Sequence, residues 1–149
     1  MSLKSRIGED MKDALRARES DRLSALRLLV AAIKQREIDE RTELDDTGVI
    51  AVVDKLIKQR RDAIGQYVAA GRQDLADREQ FEVDVLSAYM PQPLGADEIS
   101  ALVAQAVTET GAASARDMGK VMNWLKPRLA GRADMTAVSA QVKAALGQP

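Results

Sequence analysis

An all-α protein is what this sequence predicts, and three observations predict it. Of its 149 residues 46% are hydrophobic but only 3% aromatic, with Ala, Leu, Arg and Asp abundant, a composition that favours helix over sheet. Apolar residues recur at intervals of three and four along most of the chain, the period of a helix with one buried face. The third observation is the stretch MPQPLGAD, where Pro91 and Pro93 both withhold backbone donors and break the helical pattern once, near the middle. The division this implies is an N-terminal helical domain of about four helices over residues 1–90, a proline-containing linker over 91–96, and a C-terminal three-helix domain over 97–149.

Leu3, Ile7, Met11, Ala14 and Leu15 set the stripe of a first helix over about 3–17. Leu23, Leu26, Leu29, Val30 and Ile33 mark a second, capped at Ser20 and fading into the charged run Arg36 to Arg41. After the polar turn Thr42 to Gly48, Asp46 or Thr47 is placed to cap a long third helix, with Val49, Val53, Leu56, Ile57, Ile64, Tyr67 and Val68 inward and Gly71 as its stop. A fourth runs from Gln73 to Tyr89 and buries Leu75, Phe81, Val85, Leu86 and Tyr89. Beyond the prolines, Ile99, Leu102, Val103, Ala106 and Val107 define a helix over 97–110. Another follows from Ser114 to about Leu125, and Met135, Val138, Val142 and Leu146 define a last one from Asp134, with Gly111 and Gly147 at C-terminal positions. Ser114 and Asp117 fit the S-x-x-D capping pattern, and Pro127 is expected to end or kink the helix they start.

Composition excludes several kinds of chemistry. Without cysteine there are no disulfides, thiolate zinc sites or cysteine nucleophiles, and a cytosolic (cytoplasmic) home is favoured. Without histidine the usual general base near neutral pH and the commonest metal ligand are missing. No catalytic spacing, metal-ligand set or cofactor motif is present, so the reading is of a protein that is not catalytic alone and holds no metal or cofactor. The paired acids Asp45 and Asp46, and the set Glu37, Asp39 and Glu40, read as caps and solvated charges. No run of 18 apolar residues and no apolar signal core at the N-terminus MSLKSRIGEDMKDAL points to a membrane or to secretion.

Formal net charge is −1, but its distribution is uneven: residues 1–90 carry 16 cations and 18 acids, residues 91–149 carry 6 and 5. Between Arg116 and Arg132 five cations (Arg116, Lys120, Lys126, Arg128, Arg132) face one acid, Asp117. On a helical wheel Met118, Val121, Met122, Leu125 and Leu129 share an apolar side, while Arg116, Lys120, Asn123 and Trp124 fall opposite. An aromatic ring beside cations suits RNA: the ring stacks on a base and the cations neutralise phosphates. The residues alone favour the plainer reading, Trp124 as a packing anchor beside a solvated cationic face, because cationic helix faces are common and tryptophan often serves as such an anchor. A second cluster, Lys55, Lys58, Arg60 and Arg61, has intrahelical partners in Asp54 and Asp62, and with Arg72 is open to either reading.

The blocks RLSALRLLVAAIK (22–34), KLIKQRRDAIGQYVAAGRQDLADREQFEVDVLSAYMPQPL (55–94) and DMGKVMNWLKPRLAGRADM (117–135) resemble the GatB/YqeY family. That family includes small free-standing proteins and the C-terminal part of the GatB subunit of tRNA-dependent amidotransferase. The resemblance implies an N-terminal helical domain followed by a three-helix tail domain. It implies contact with tRNA or aminoacyl-tRNA through the tail, with glutamine-dependent carbon–nitrogen ligase chemistry lying in other domains and subunits. Carried over, the RNA-contacting candidates are Lys120, Lys126, Arg128 and Arg132, with Gly119 allowing close approach. Arg116 and Trp124 are added from the wheel, and Lys58, Arg61 and Arg72 from the second cluster. The chain departs from the family pattern at Asn123 and Met135, where glycines are usual. Partners so implied are tRNA and, beside it, the amidotransferase or other translation proteins. The alternatives are an adaptor that grips a protein through Trp124, and a component of the ligase itself.

Overall fold

The computed structural model describes residues 1–147, and every regular element among them is helical. The chain divides into two compact units, Met1–Met90 and Pro91–Pro149.

In the first unit, α1 (Leu3–Arg16) starts where Ser2 accepts the amide of Ser5 at 3.1 Å. Its stripe buries Ile7 and Ala14, but Leu15, a further 100° round the helix, is 59% exposed rather than inward. A tight turn follows, with Arg18 left-handed and the Glu19 amide returning to the Ala14 carbonyl. Helical geometry is therefore already established at Ser20, which opens α2 (Ser20–Glu40) instead of capping it; the cap position is Glu19, with no side-chain bond. Ala25, Leu26, Leu29 and Ile33 of α2 are buried, and α2 packs against all three other helices of the unit.

Asp45, one residue before the caps anticipated, accepts the Gly48 amide at 2.9 Å and starts α3 (Asp46–Ala69). Asp46 is thereby free to accept the Leu3 amide at 2.9 Å, so the first residue of α3 satisfies a donor at the start of α1. Glu37, read from sequence as a solvated charge, organises the same corner: it takes Lys4 Nζ at 2.7 Å and the Leu44 amide at 2.8 Å. Its carboxyl is held below the usual range, first by Lys4 and then by Leu44.

Val49, Val52, Val53 and Ile57 carry α3 into the core. Val68 lies 53% exposed because the helix outruns that core, whose last α3 contributor is the partly buried Ile64. After Gly71, which adopts φ +72° to reverse the chain, α4 (Gln73–Ser87) packs along α3. It buries Ala76, Val83 and Leu86; Phe81, two residues and so about 200° from Val83, faces outward at 42% exposure instead of inward. Arg60 pairs with Glu82 at 2.7 Å, both largely covered, which locks α3 to α4. Just past α4, Tyr89 is 3% exposed and its hydroxyl donates to Asp10 at 2.5 Å.

The second unit holds α5 (Ala96–Thr110), a 3₁₀ turn (Ala115–Asp117), α6 (Met118–Leu129) and α7 (Met135–Leu146). Val103 and Ala106 of α5, Val121, Leu125 and Leu129 of α6, and Val138, Val142 and Leu146 of α7 form its core. Ser114 makes no side-chain cap; the reciprocal half of that pattern is present, displaced by one residue, with Asp117 accepting the Ala113 amide at 2.9 Å. Nor does Pro127 stop the helix: α6 continues to Leu129, which is completely buried, so the apolar stripe holds the backbone in phase past the missing donor. Gly111 closes α5 in a left-handed conformation, whereas Gly147 stays right-handed and is needed for space, since a Cβ there would lie 2.9 Å from the Lys143 carbonyl. Leu94 donates its amide to the Arg132 carbonyl at 2.9 Å while Arg132 Nε donates to the Gln92 carbonyl at 3.0 Å, pinning the chain after Pro91 to the α6–α7 turn.

Leu29, fully buried on α2, is expected to cost about 2–5 kcal/mol when replaced by alanine, measured by urea unfolding. Burial, and then the neighbouring Asp10, push the Tyr89 phenol above its ordinary range. The folded state thus holds this proton more tightly than the unfolded state. The resulting stability is complete below about pH 10, the ordinary tyrosine value, and is lost as pH rises beyond it. Urea midpoints compared between about pH 8 and pH 11 should fall more steeply for the wild type than for Tyr89→Phe.

Candidate nucleic-acid interface

The cationic segment is laid out along α6 and its flanks. Val121, Leu125 and Leu129 turn into the unit's core, and Met118 and Met122 pack at its margin. This leaves Arg116, Gly119, Lys120, Lys126 and Arg128 exposed. Arg116 and Lys126 have no ion pair or hydrogen bond to another described side chain, and Lys120 has only a 3.8 Å contact to Asp117. The Asp117 carboxyl is held low chiefly by the Ala113 amide, so its charge is committed to the backbone at the start of α6.

Trp124 is half-buried and packs against the apolar cluster of its unit. Its Nε1–H donates to Glu109 of α5 at 3.1 Å, and the Arg128 guanidinium lies over the ring, 3.7 Å from the centroid, while also donating to the Trp124 carbonyl. One face of the indole is therefore covered by Arg128, and the outer plane of that guanidinium is what a base would meet. Glu109, fifteen residues away in sequence, carried no local signal that it would hold the indole.

Gly119 sits in the first turn of α6, and nothing lies within 4 Å of where a Cβ would stand. The fold itself gives no reason for glycine there, although glycine inside a helix is destabilising. Arg132 differs from its neighbours: its Nε is engaged with the Gln92 carbonyl, so it braces its unit. In the first unit, Lys58 pairs with Asp54 at 3.1 Å and Arg72 is bidentate to Asp74 at 3.1 and 3.0 Å, while Arg61 has no such partner among the described residues. Arg60, expected to pair within its helix, instead reaches Glu82 on α4. Among the described residues no group of three or more acids is placed to hold a metal ion, and no helix is long and apolar enough to cross a membrane.

Comparison with known proteins gives a family model described as Yqey-like protein, matched over residues 4–146. The protein "Altered inheritance of mitochondria protein 41, mitochondrial" of Lachancea thermotolerans is 30% identical over 147 residues, 94% of this chain and 76% of that protein. Its namesake in Eremothecium gossypii is 36% identical over 85 residues, 56% of this chain and 46% of the relative. That of Kluyveromyces lactis is 34% identical over 106 residues, 69% and 57% respectively. The chain thus spans about half the length of these last two relatives. Their names place them in mitochondria, which overturns the cytosolic placement drawn from composition. Absence of cysteine excludes disulfides and does not single out one compartment.

Because a Cβ at Gly119 meets open space, Gly119→Ala is expected to raise the stability of the protein by about 0.5–1 kcal/mol in thermal or urea unfolding.

Proposed function

The chain belongs to the YqeY-like protein family, and we propose that it is a non-catalytic module that binds tRNA through the outer face of α6. The observation that carries this reading is Gly119: an exposed helical glycine that the fold does not require, flanked by exposed cations with few or no partners. Such a glycine lets a sugar–phosphate backbone come against the helix surface. Lys120, Lys126 and Arg116 then lie within reach of phosphates, and Arg128, braced on Trp124, offers a flat cation to a base. Arg132 serves the site by holding the α6–α7 turn in place. The reading includes no reaction step. The adaptor alternative through Trp124 is less well supported, since the indole N–H and one ring face are already occupied within the unit.

Fluorescence anisotropy of labelled bulk tRNA, titrated with the whole chain at two salt concentrations, tests the proposal. Lys126→Glu and Lys120→Glu should each weaken binding several-fold and flatten the salt dependence by about one unit of log–log slope. Gly119→Ala should weaken binding while stabilising the fold, which separates a contact defect from unfolding. Wild-type affinity and salt slope in all three variants would refute it.

A further inference from the structure

The first unit contains a cleft of about 480 Å³ between α1, α2 and α4, lined by Arg6, Asp10, Arg22, Asp84, Ala88 and Tyr89. Two cations and two acids share it, yet no ion pair joins any of the four. Arg6 and Asp10 stand four residues apart on α1, a spacing at which charged side chains normally meet. Tyr89 draws them apart. Its hydroxyl takes Asp10 at 2.5 Å, and its ring lies under the Arg6 guanidinium, 5.0 Å from the centroid, with Arg6 Nη2 donating to the Ala88 carbonyl at 3.0 Å. Among the described residues Arg22 is restrained by Glu19 at 3.4 Å, and Asp84 by Gln80 at 2.9 Å. Each charge is held by a tether of its own, with hydrogen-bonding capacity left over.

We infer that this cleft is a binding site for a small zwitterion, a free α-amino acid, with its carboxylate on Arg6 and Arg22 and its ammonium on Asp84 and Asp10. A simple anion would meet the two aspartates, and a simple cation the two arginines. A ligand that carries an ammonium and a carboxylate on one carbon satisfies both pairs at once. The cleft volume is within the range of small-molecule sites. Tyr89 is a positioning residue here, fixing where the opposite charges stand. The inference rests on the first unit alone and is independent of RNA binding at α6.

Amide chemical shifts of the ¹⁵N-labelled chain, followed during titration with L-leucine and L-glutamine, provide the test. Their N-acetyl and methyl ester forms, each lacking one charge, serve as controls. Shifts centred on Arg6, Arg22 and Asp84 are expected, with both controls binding at least about tenfold more weakly. Arg22→Gln and Asp84→Asn should each raise Kd about tenfold while circular dichroism stays unchanged. No shifts at millimolar amino acid, or equal binding of the singly charged controls, would overturn the inference. The controls decide the matter without any substitution, so a variant that fails to fold does not blunt the test.

Discussion

Apart from Tyr89, whose hydroxyl is bonded to Asp10, no side chain with a polar group is buried among the described residues, and the chain has no cysteine to staple it. Its two interiors are almost wholly aliphatic, with Tyr89 the one aromatic ring among their fully buried members. Stability therefore depends on apolar area removed from water and on close packing, both non-specific in direction. What turns these packed stripes into defined helices is the set of polar contacts at their ends. Ser2, Asp45, Asp117 and Asp134 each accept a backbone amide where a helix or its lead-in begins.

That use of aspartate also shapes the surface. In the second unit Asp117 and Asp134 are committed to amides and Glu109 to the indole of Trp124, so three of its five acids have local structural duties. The cations on α6 are left with little to pair with. A chain whose formal charge is only −1 thus presents a locally cationic face without any excess of basic residues. Segregation by function, rather than by composition, creates the field a polyanion would meet.

The apolar stripes were legible because period and burial have a single cause: Leu26, Leu29, Ile33, Val121 and Leu125 are where the spacing puts them. Phe81 was misread because hydrophobic character alone says nothing about phase; the smaller Ala76 and Val83 define the inner face of α4. Caps slipped by one residue at Asp45 and Ser20, since several neighbouring polar groups can serve and tertiary demands choose among them, as when Asp46 is claimed by Leu3. For the candidate interface, the cations were readable from sequence but their engagements were not. Arg132 on the Gln92 carbonyl, Arg60 on Glu82 and Trp124 on Glu109 are contacts between segments, and no local pattern encodes them.

The placement of the aromatic residues has a consequence for watching this protein unfold. The single tryptophan, Trp124, lies in the second unit, while both tyrosines, Tyr67 and Tyr89, lie in the first. Each unit therefore carries its own natural chromophore. Selective excitation of the indole follows one interior, and the near-ultraviolet signal of the phenols follows the other. Whether the two cores melt as one cooperative body or in sequence can be read from the unlabelled wild-type chain by asking whether those two transitions coincide.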